Sequence, residues 1–411
     1  MVAGGGSLSL SLSEPALSGL GLLLLAIQVP MAAVLLSRLL EGPGRLPPLA
    51  PRSAPASAAG KVSVVVPTLN EAERLSPCLA GLAQQGDELR EIIVVDSCST
   101  DGTVALVKQA QATEPRLRLI SDPPLPTGWV GRPWALHNGF LESSEESDWV
   151  LGVDADTYPQ PQLVGALVQA AEARRYDMVS LSPQFILSGP GEFWLQPALL
   201  MTLVYRFGPS GSRTDDATRV MANGQCFLTR RSLLTQLGGY ESARRSFCDD
   251  VTLARRAAAM GAKVGFWDGS RLLKVRMYDG VAELWREWGR SLDLKDAATP
   301  QQTWGDVGFL AAVQGLPLLV CLVFGWGWLA GTRTTVCGAA LGLNAALVVA
   351  RVALLWAIDA SYDKEKASGR WAFWLSPLAD PLAVVRIALS AGRTPTQWRS
   401  RQYDGFDATA K

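Results

Sequence analysis

The sequence is poor in the residues that much metal and redox chemistry uses. Among 411 residues there is one histidine, His137. A three-histidine zinc site, a two-histidine-one-carboxylate iron site and an H-E-x-x-H protease are therefore excluded within one chain. A histidine-based triad would have to use His137, and no nucleophile-elbow sequence surrounds it. The six cysteines (Cys78, Cys98, Cys226, Cys248, Cys321, Cys337) include no C-x-x-C pair. Their scatter argues against a zinc ribbon or a thioredoxin-like motif and suits packing roles in a reducing compartment. Charge is scarce as well, at 18% of residues, where soluble domains average about 25%. Lys+Arg and Asp+Glu both number 38, which argues against a nucleic-acid partner. There is no P-loop, no G-x-G-x-x-G and no internal repeat.

What the chain has instead is apolar length, with 48% hydrophobic residues. Residues 16–40 form an apolar run with no Lys or Arg before Arg38. A secretory signal peptide needs a positive start, so this run reads as a membrane anchor, with Pro30 a potential kink. Residues 41–60 are rich in Pro, Gly, Ala and Ser and read as a linker. Arg38, Arg45, Arg52 and Lys61 follow the span, which puts the next domain in the cytoplasm. Residues 305–331 and 335–358 are two further runs of spanning length. Residues 371–390 are interrupted by Pro377, Asp380, Pro381 and Arg386 and read as interfacial or re-entrant. Arg351, inside an apolar run, is expected to snorkel or to pair with Asp359. The expected organisation is an anchor and linker (1–60), a catalytic domain (61–280), an amphipathic segment (281–304) and a C-terminal membrane region with a tail (305–411). In residues 281–300, Leu284, Trp285, Trp288 and Leu292 recur at helical spacing. They suit equally a core-facing helix and one lying on the membrane surface.

Residues 61–280 alternate short apolar runs with amphipathic stretches. Residues 62–67, 91–96, 117–121 and 149–154 read as buried parallel strands. Residues 71–85, 101–112, 131–145 and 160–174 read as the helices between them. This is an α/β pattern with a mostly parallel sheet.

Polar groups stand at the strand ends, where open α/β sheets bind ligands. Pro67-Thr68-Leu69-Asn70-Glu71 follows the first strand; Asn70 and Glu71 suit a helix cap as well as a ligand. Asp96 ends the second strand, where it could accept hydrogen bonds from a base edge, and Asp101 suits the cap of the next helix. Asp154 and Asp156 flank one residue after the fourth strand. Two adjacent carboxylates are costly unless a cation neutralises them, and an all-oxygen pair suits Mg2+ or Mn2+. Asp249 and Asp250 head a helix, where they either favour its dipole or supply a general base.

In this order PTLNE, VVDSCSTDGT, DAD, NGQCFLTRR with GGY, and DDVTLARR resemble the membrane-bound inverting glycosyltransferases of family 2 across roughly residues 61–280. The resemblance implies a GT-A nucleotide-sugar-binding domain flanked by transmembrane helices. It implies Asp250 as catalytic base and Asp154 with Asp156 on a divalent cation. Pro67, Asn70, Glu71, Asp96, Arg132, Asp154 and Arg290 would lie on the donor side, and Asn223, Gly224, Gln225 and Asp249 toward the acceptor. Asp249 stands where the family usually has Glu. LPTGWVGRPWALHNG (125–139) resembles a segment beside the donor diphosphate, with Arg132 a phosphate contact. Val275–Tyr278 and Trp288–Ser291 occupy the place of a motif that closes over the diphosphate. The spans on both sides, and Trp398-Arg399-Ser400-Arg401-Gln402-Tyr403, resemble the carotenoid- and hopanoid-associated group. The implied partners are a UDP-, GDP- or dTDP-sugar and a lipid-soluble acceptor at the membrane.

Overall fold

Strands β1 (Val62–Thr68), β2 (Leu89–Asp96), β3 (Leu117–Ser121) and β4 (Trp149–Val153) form where the apolar runs stand. The structure, a computed structural model, describes residues 14–392, 397–398 and 401–402, apart from 215, 292, 293, 295, 296, 364, 366 and 367. Further strands are β5 (Thr157–Pro159), β6 (Met178–Ser182), β7 (Gln184–Phe185), β8 (Cys226–Arg230), β9 (Val264–Asp268) and β10 (Leu273–Val275). The main sheet has the order β3-β2-β1-β4-β8-β6-β9. Only β8 runs against its neighbours β4 and β6. A small second sheet has the order β5-β10-β7. Successive strands leave β1 in both directions, so the crevice between β1 and β4 is a topological switch point. Thr68 pairs with Asp96, and Val65 with Gly152, so the loops after β1, β2 and β4 open at one edge.

The helices are α1 (Glu14–Leu40), α2 (Leu75–Ala83), α3 (Thr103–Gln111), α4 (Gly131–Glu142), α5 (Leu163–Arg174), α6 (Pro190–Phe207) and α7 (Arg231–Gln236). They continue with α8 (Asp249–Ala259), α9 (Val281–Ser291), α10 (Pro300–Leu310), α11 (Pro317–Leu329), α12 (Thr335–Ile358) and α13 (Asp380–Ala391). Val64, Val66, Leu79 and Leu167 belong to the core on one face of the sheet, Val65, Ile93, Leu136 and Leu253 to that on the other. Helix α4 lies so close to the sheet that a Cβ on Gly139 would come 2.2 Å from Val65. Only glycine allows that approach.

The segment expected as a linker is strapped to the domain. Leu46 donates its amide to Gly211 O at 3.0 Å and Leu49 to Asp268 O at 2.8 Å. Leu46, Leu49 and Ala54 pack on the sheet core. Composition suggested slack chain, but these three side chains have apolar surface to cover.

Three helices are hydrophobic enough to span a membrane: residues 14–44, 335–361 and 370–391. The run expected to span at 305–331 is instead a pair, α10 and α11, bent by 46°. A π turn over Ala311–Gly315 precedes Pro317, whose ring and missing N–H interrupt the helix. If the bent pair counts as one span there are four. Residues 371–390, read from the sequence as interfacial, join a 3-10 stretch (Arg370–Ala379) to α13 and have the length and apolarity of a span. The charge at Asp380 that argued otherwise is buried against Arg351, whose Nε donates to Oδ2 at 2.9 Å and Oδ1 at 3.1 Å. Arg351 thus pairs with Asp380 and not with Asp359, which instead receives Arg370 at 3.4 Å. Gln314 adds a hydrogen bond to Asp380 at 3.0 Å and one to Ala198 O of α6 at 2.9 Å. Of the two readings of α9, the core-facing one holds for Leu284 and Trp288, which are buried with α6 side chains.

Candidate active site

A cavity of about 810 Å³ opens at the strand-end edge. Asn70, Glu71, Arg132, Asp154, Asp156, Asn223, Gly224, Gln225, Asp249 and Asp250 all line it. Residues more than 170 positions apart in sequence thus meet in one space.

The loop after β1 is fastened to the loop after β2. Asn70 sits at φ +56°, and its Oδ1 accepts the Thr100 amide at 2.8 Å. Asp101 accepts the amides of Ala72 at 3.0 Å and Thr103 at 2.9 Å, so it tethers both loops at the start of α3. Asn70 therefore staples two loops and caps no helix of its own. Asp96 is 3% exposed and takes the Ser99 amide at 3.1 Å through Oδ2. Its Oδ1 is buried without a hydrogen-bond partner, which leaves one acceptor for a ligand. Pro67 and Asp96 stand at the strand ends and are not among the residues lining the cavity.

Arg132 is the hub of the acidic cluster. It heads α4, and its Nε donates to Asp154 Oδ1 at 2.9 Å. Nη1 donates to Asp249 Oδ2, and Nη2 to Gly224 O at 2.7 Å. Two of these donors go to carboxylates and the third to a backbone carbonyl. A Cβ on Gly224 would meet Nη2 at 2.4 Å, so the glycine of the Asn223-Gly224-Gln225 turn makes room for this guanidinium. Asn223 closes the turn, its Oδ1 accepting the Gln225 amide and its Nδ2 donating to Gln225 Oε1, both at 3.0 Å. Asp249 is 2% exposed, so its contribution is to hold Arg132. Its neighbour Asp250 is less deeply buried, and both line the cavity.

Burial and crowding decide the protonation of this cluster. Burial first, then the charge of Asp154, pushes the Asp156 carboxyl up to about 7. Burial first, then Asp249, pushes Asp250 up to about 7, against the pull of Arg132. A carboxylate held near neutrality is well matched to proton transfer. Among the described residues no group of three or more His, Cys, Asp or Glu forms a metal cage. Asp154 and Asp156 still fit a divalent cation: they are hard oxygen donors, a cation would relieve the cost of charging Asp156, and the cavity has room for a diphosphate to complete the shell.

The sequence did not point to the far wall of the cavity. Leu200, Leu203 and Val204 of α6 and Leu354, Ala357 and Ile358 of α12 line the same space as the carboxylates. Met277, Tyr278 and Trp288 line it too. The Arg290 side chain lies outside the described residues, as do Arg399, Ser400 and Tyr403 of the tail. His137 lies away from this cavity, with Nδ1 accepting the Tyr240 amide at 3.3 Å among Trp129 and Trp134. All six cysteines are free thiols.

Residues 63–238 match the family described as glycosyl transferase family 2. The chain carries a family 2 glycosyltransferase domain in a GT-A fold and is a glycosyltransferase. It is similar to the 4,4'-diaponeurosporenoate glycosyltransferase of Staphylococcus haemolyticus, 24% identical over 69% of each chain. It is also similar to an N-acetylglucosaminyl-diphospho-decaprenol L-rhamnosyltransferase of Mycobacterium tuberculosis, 25% identical over 48% of this chain and 70% of that one. Among solved structures, the mannosyltransferase PcManGT of Pyrobaculum calidifontis, in complex with GDP-Man and Mn2+, covers 91% of this chain and 98% of its own. The TM-score is 0.52 at 18% identity, a likeness of fold.

Proposed function

We propose that this enzyme moves a sugar, with inversion, from a nucleoside-diphosphate sugar to a hydroxyl of a membrane-soluble acceptor, and that the acceptor is a carotenoid glycosylated in the manner of a myxol 2'-hydroxyl. The observation that carries the reading is a cavity lined both by carboxylates and by aliphatic side chains of α6 and α12. A polar donor suits the carboxylates, and a lipid-soluble body suits the aliphatic lining. The membrane-side helices suit entry of that body from the bilayer. The relative named for a carotenoid acid supports the acceptor class. In this reading the catalytic domain faces the cytoplasm, where nucleotide sugars are made.

Asp250, in the first turn of α8, takes the proton of the attacking hydroxyl. Arg132 holds Asp154 and Asp249 in place. Asp96 and the Asn70 loop receive the nucleoside. A divalent cation on Asp154 and Asp156 would neutralise charge on the departing diphosphate.

A second reading, transfer to a polyprenyl-linked or other lipid such as a hopanoid, is favoured by the decaprenol-specific relative. Deleting the gene and weighing the extracted pigments and lipids separates the two. Loss of a sugar from a carotenoid is the expected result; an unchanged pigment profile with an altered hopanoid or polyprenyl lipid overturns the carotenoid assignment.

A further inference from the structure

Beyond the active-site cavity, four arginines converge where the membrane helices end. Arg206 closes α6, Arg219 lies in the turn before β8, and Arg255 stands on α8. Their guanidinium carbons lie 5.1, 5.7 and 5.7 Å from the centre of the one Phe207 ring. Arg38, near the end of α1, lies over the Phe309 ring at 4.6 Å and donates to Tyr205 O at 2.9 Å. Gathering like charges is costly unless something of opposite charge meets them, the more so where Arg206 and Arg255 are buried.

The acids described nearby act on Arg219 and Arg255 only at a distance. Asp216, Asp306 and Glu41 act on these arginines through space. Among the described residues, none of them comes within ion-pair distance of Arg219 or Arg255. Arg255 is 7% exposed; its Nε and Nη1 are spent on the carbonyls of Val220 and Ala297, and its Nη2 has no hydrogen-bond partner. Nη2 of Arg219 is buried and without a partner too. Burial and the charges of Arg206 and Arg219 press the Arg255 pKa down to about 10, a sign that its positive charge is under-compensated.

The setting says which anion fits. Trp304, 55% exposed on α10, stands two residues before Asp306. Gln302 of the same helix donates to Thr218 O at 3.2 Å and so fastens α10 beside Arg219. Arg38 and Ser390 place the ends of two candidate spans at this level. Exposed tryptophan beside arginine at the end of membrane helices is the chemistry of the headgroup layer. The internal space between Arg206, Arg255 and Asp306 is only about 20 Å³, so a ligand sits at the rim and reaches inward with one small group.

We propose that Arg38, Arg206, Arg219 and Arg255 form a binding site for the phosphate of an anionic phospholipid headgroup, seated beside the catalytic domain and distinct from the donor site. Planar forks of this kind match phosphate oxygens in pairs. The lipid would fix the depth of the domain against the bilayer, with Phe207, which lines both this cluster and the active-site cavity, as the shared wall.

The test uses the purified full chain in detergent, titrated with phosphatidylglycerol, phosphatidylcholine or inorganic phosphate while the unfolding midpoint is followed. Phosphatidylglycerol is expected to raise the midpoint saturably, with the other two having little effect. Arg219→Gln, at a half-exposed position, should weaken the apparent affinity about fivefold, the value of one basic side chain near an anionic surface. Arg255→Lys serves as a second variant. Equal shifts with phosphatidylcholine, or a wild-type response in Arg219→Gln, overturn the proposal. An equal shift with inorganic phosphate at matched concentration makes this a free-anion site and overturns the lipid assignment.

Discussion

At the scale of single residues, the two aspartates that head α8 divide their labour. Both line the cavity, but Asp249 is buried and holds Arg132, while Asp250 is less deeply buried. Asp250→Asn keeps a good first-turn residue but cannot accept a proton. Turnover is expected to fall by about 10²–10⁴-fold, with nucleotide-sugar affinity retained because Asp96, Asp154 and Asp156 are untouched. Turnover and donor binding measured together on the purified variant check this; turnover within a few-fold of wild type would move the base elsewhere. The pH behaviour has a definite sign. Asp156 and Asp250 are held near 7 in the fold, against about 4 in an unfolded chain. Between these values the folded state binds more protons, so these two groups lose stability for the protein as pH rises from about 4 to about 7. In metal-free protein, Asp156→Asn should flatten that part of the stability-pH curve. Added Mn2+ should stabilise the wild type at pH 7 more than the variant. Denaturation midpoints across the range test both, and identical Mn2+ responses would remove Asp156 from the metal site.

At the scale of elements, the C-terminal helices are joined by charge where the surroundings are apolar. Arg351 on α12 and Asp380 at the start of α13 are each 3% exposed, and Gln314 carries the link on to α6. Removing one partner strands a buried charge. Arg351→Leu alone is expected to cost about 3–5 kcal/mol, whereas the double replacement Arg351→Leu with Asp380→Leu should recover most of it. Unfolding of the three variants in a common detergent gives the comparison. A double variant no more stable than the single would show that the pair contributes more than mutual neutralisation. Because Leu354 and Ile358 of α12 line the cavity, loosening this link should raise the acceptor KM before the donor KM.

At the scale of the whole molecule, one cavity is built by two bodies of opposite character, a GT-A domain and a helical membrane module. Leu22, Leu23, Leu36, Leu322, Trp326, Val349 and Trp356 are exposed side chains on α1, α11 and α12. Such surface needs lipid. The protein is expected to stay in the membrane pellet after a high-salt wash and to leave it only with detergent, since salt screens charge but not apolar burial. Release by salt alone, followed by assay of pellet and supernatant, would overturn membrane insertion.

Much of the catalytic domain was legible in the sequence because its signals are local. A parallel strand buried on both faces is a continuous apolar run, so β1 to β4 fall where those runs stand. Asp154, Asp156 and Asp250 were marked by strand ends and a helix start. The boundary between interface and span at 370–391 was not legible, since Asp380 looks like a stop until Arg351 is found against it. Nor was the role of Arg132, whose three partners lie 22, 92 and 117 residues away. The aliphatic wall from α6 and α12 was equally hidden, because an apolar residue in an apolar run carries no mark of the cavity it faces. The sequence by itself determined strands β1 to β4, the long apolar helices and the acidic residues at the strand ends, all properties of period, length and residue type. Tertiary structure alone decided which acids share the cavity, which charge neutralises which, and which apolar side chains line the space beside the carboxylates. Those depend on distances between segments that the chain order does not contain.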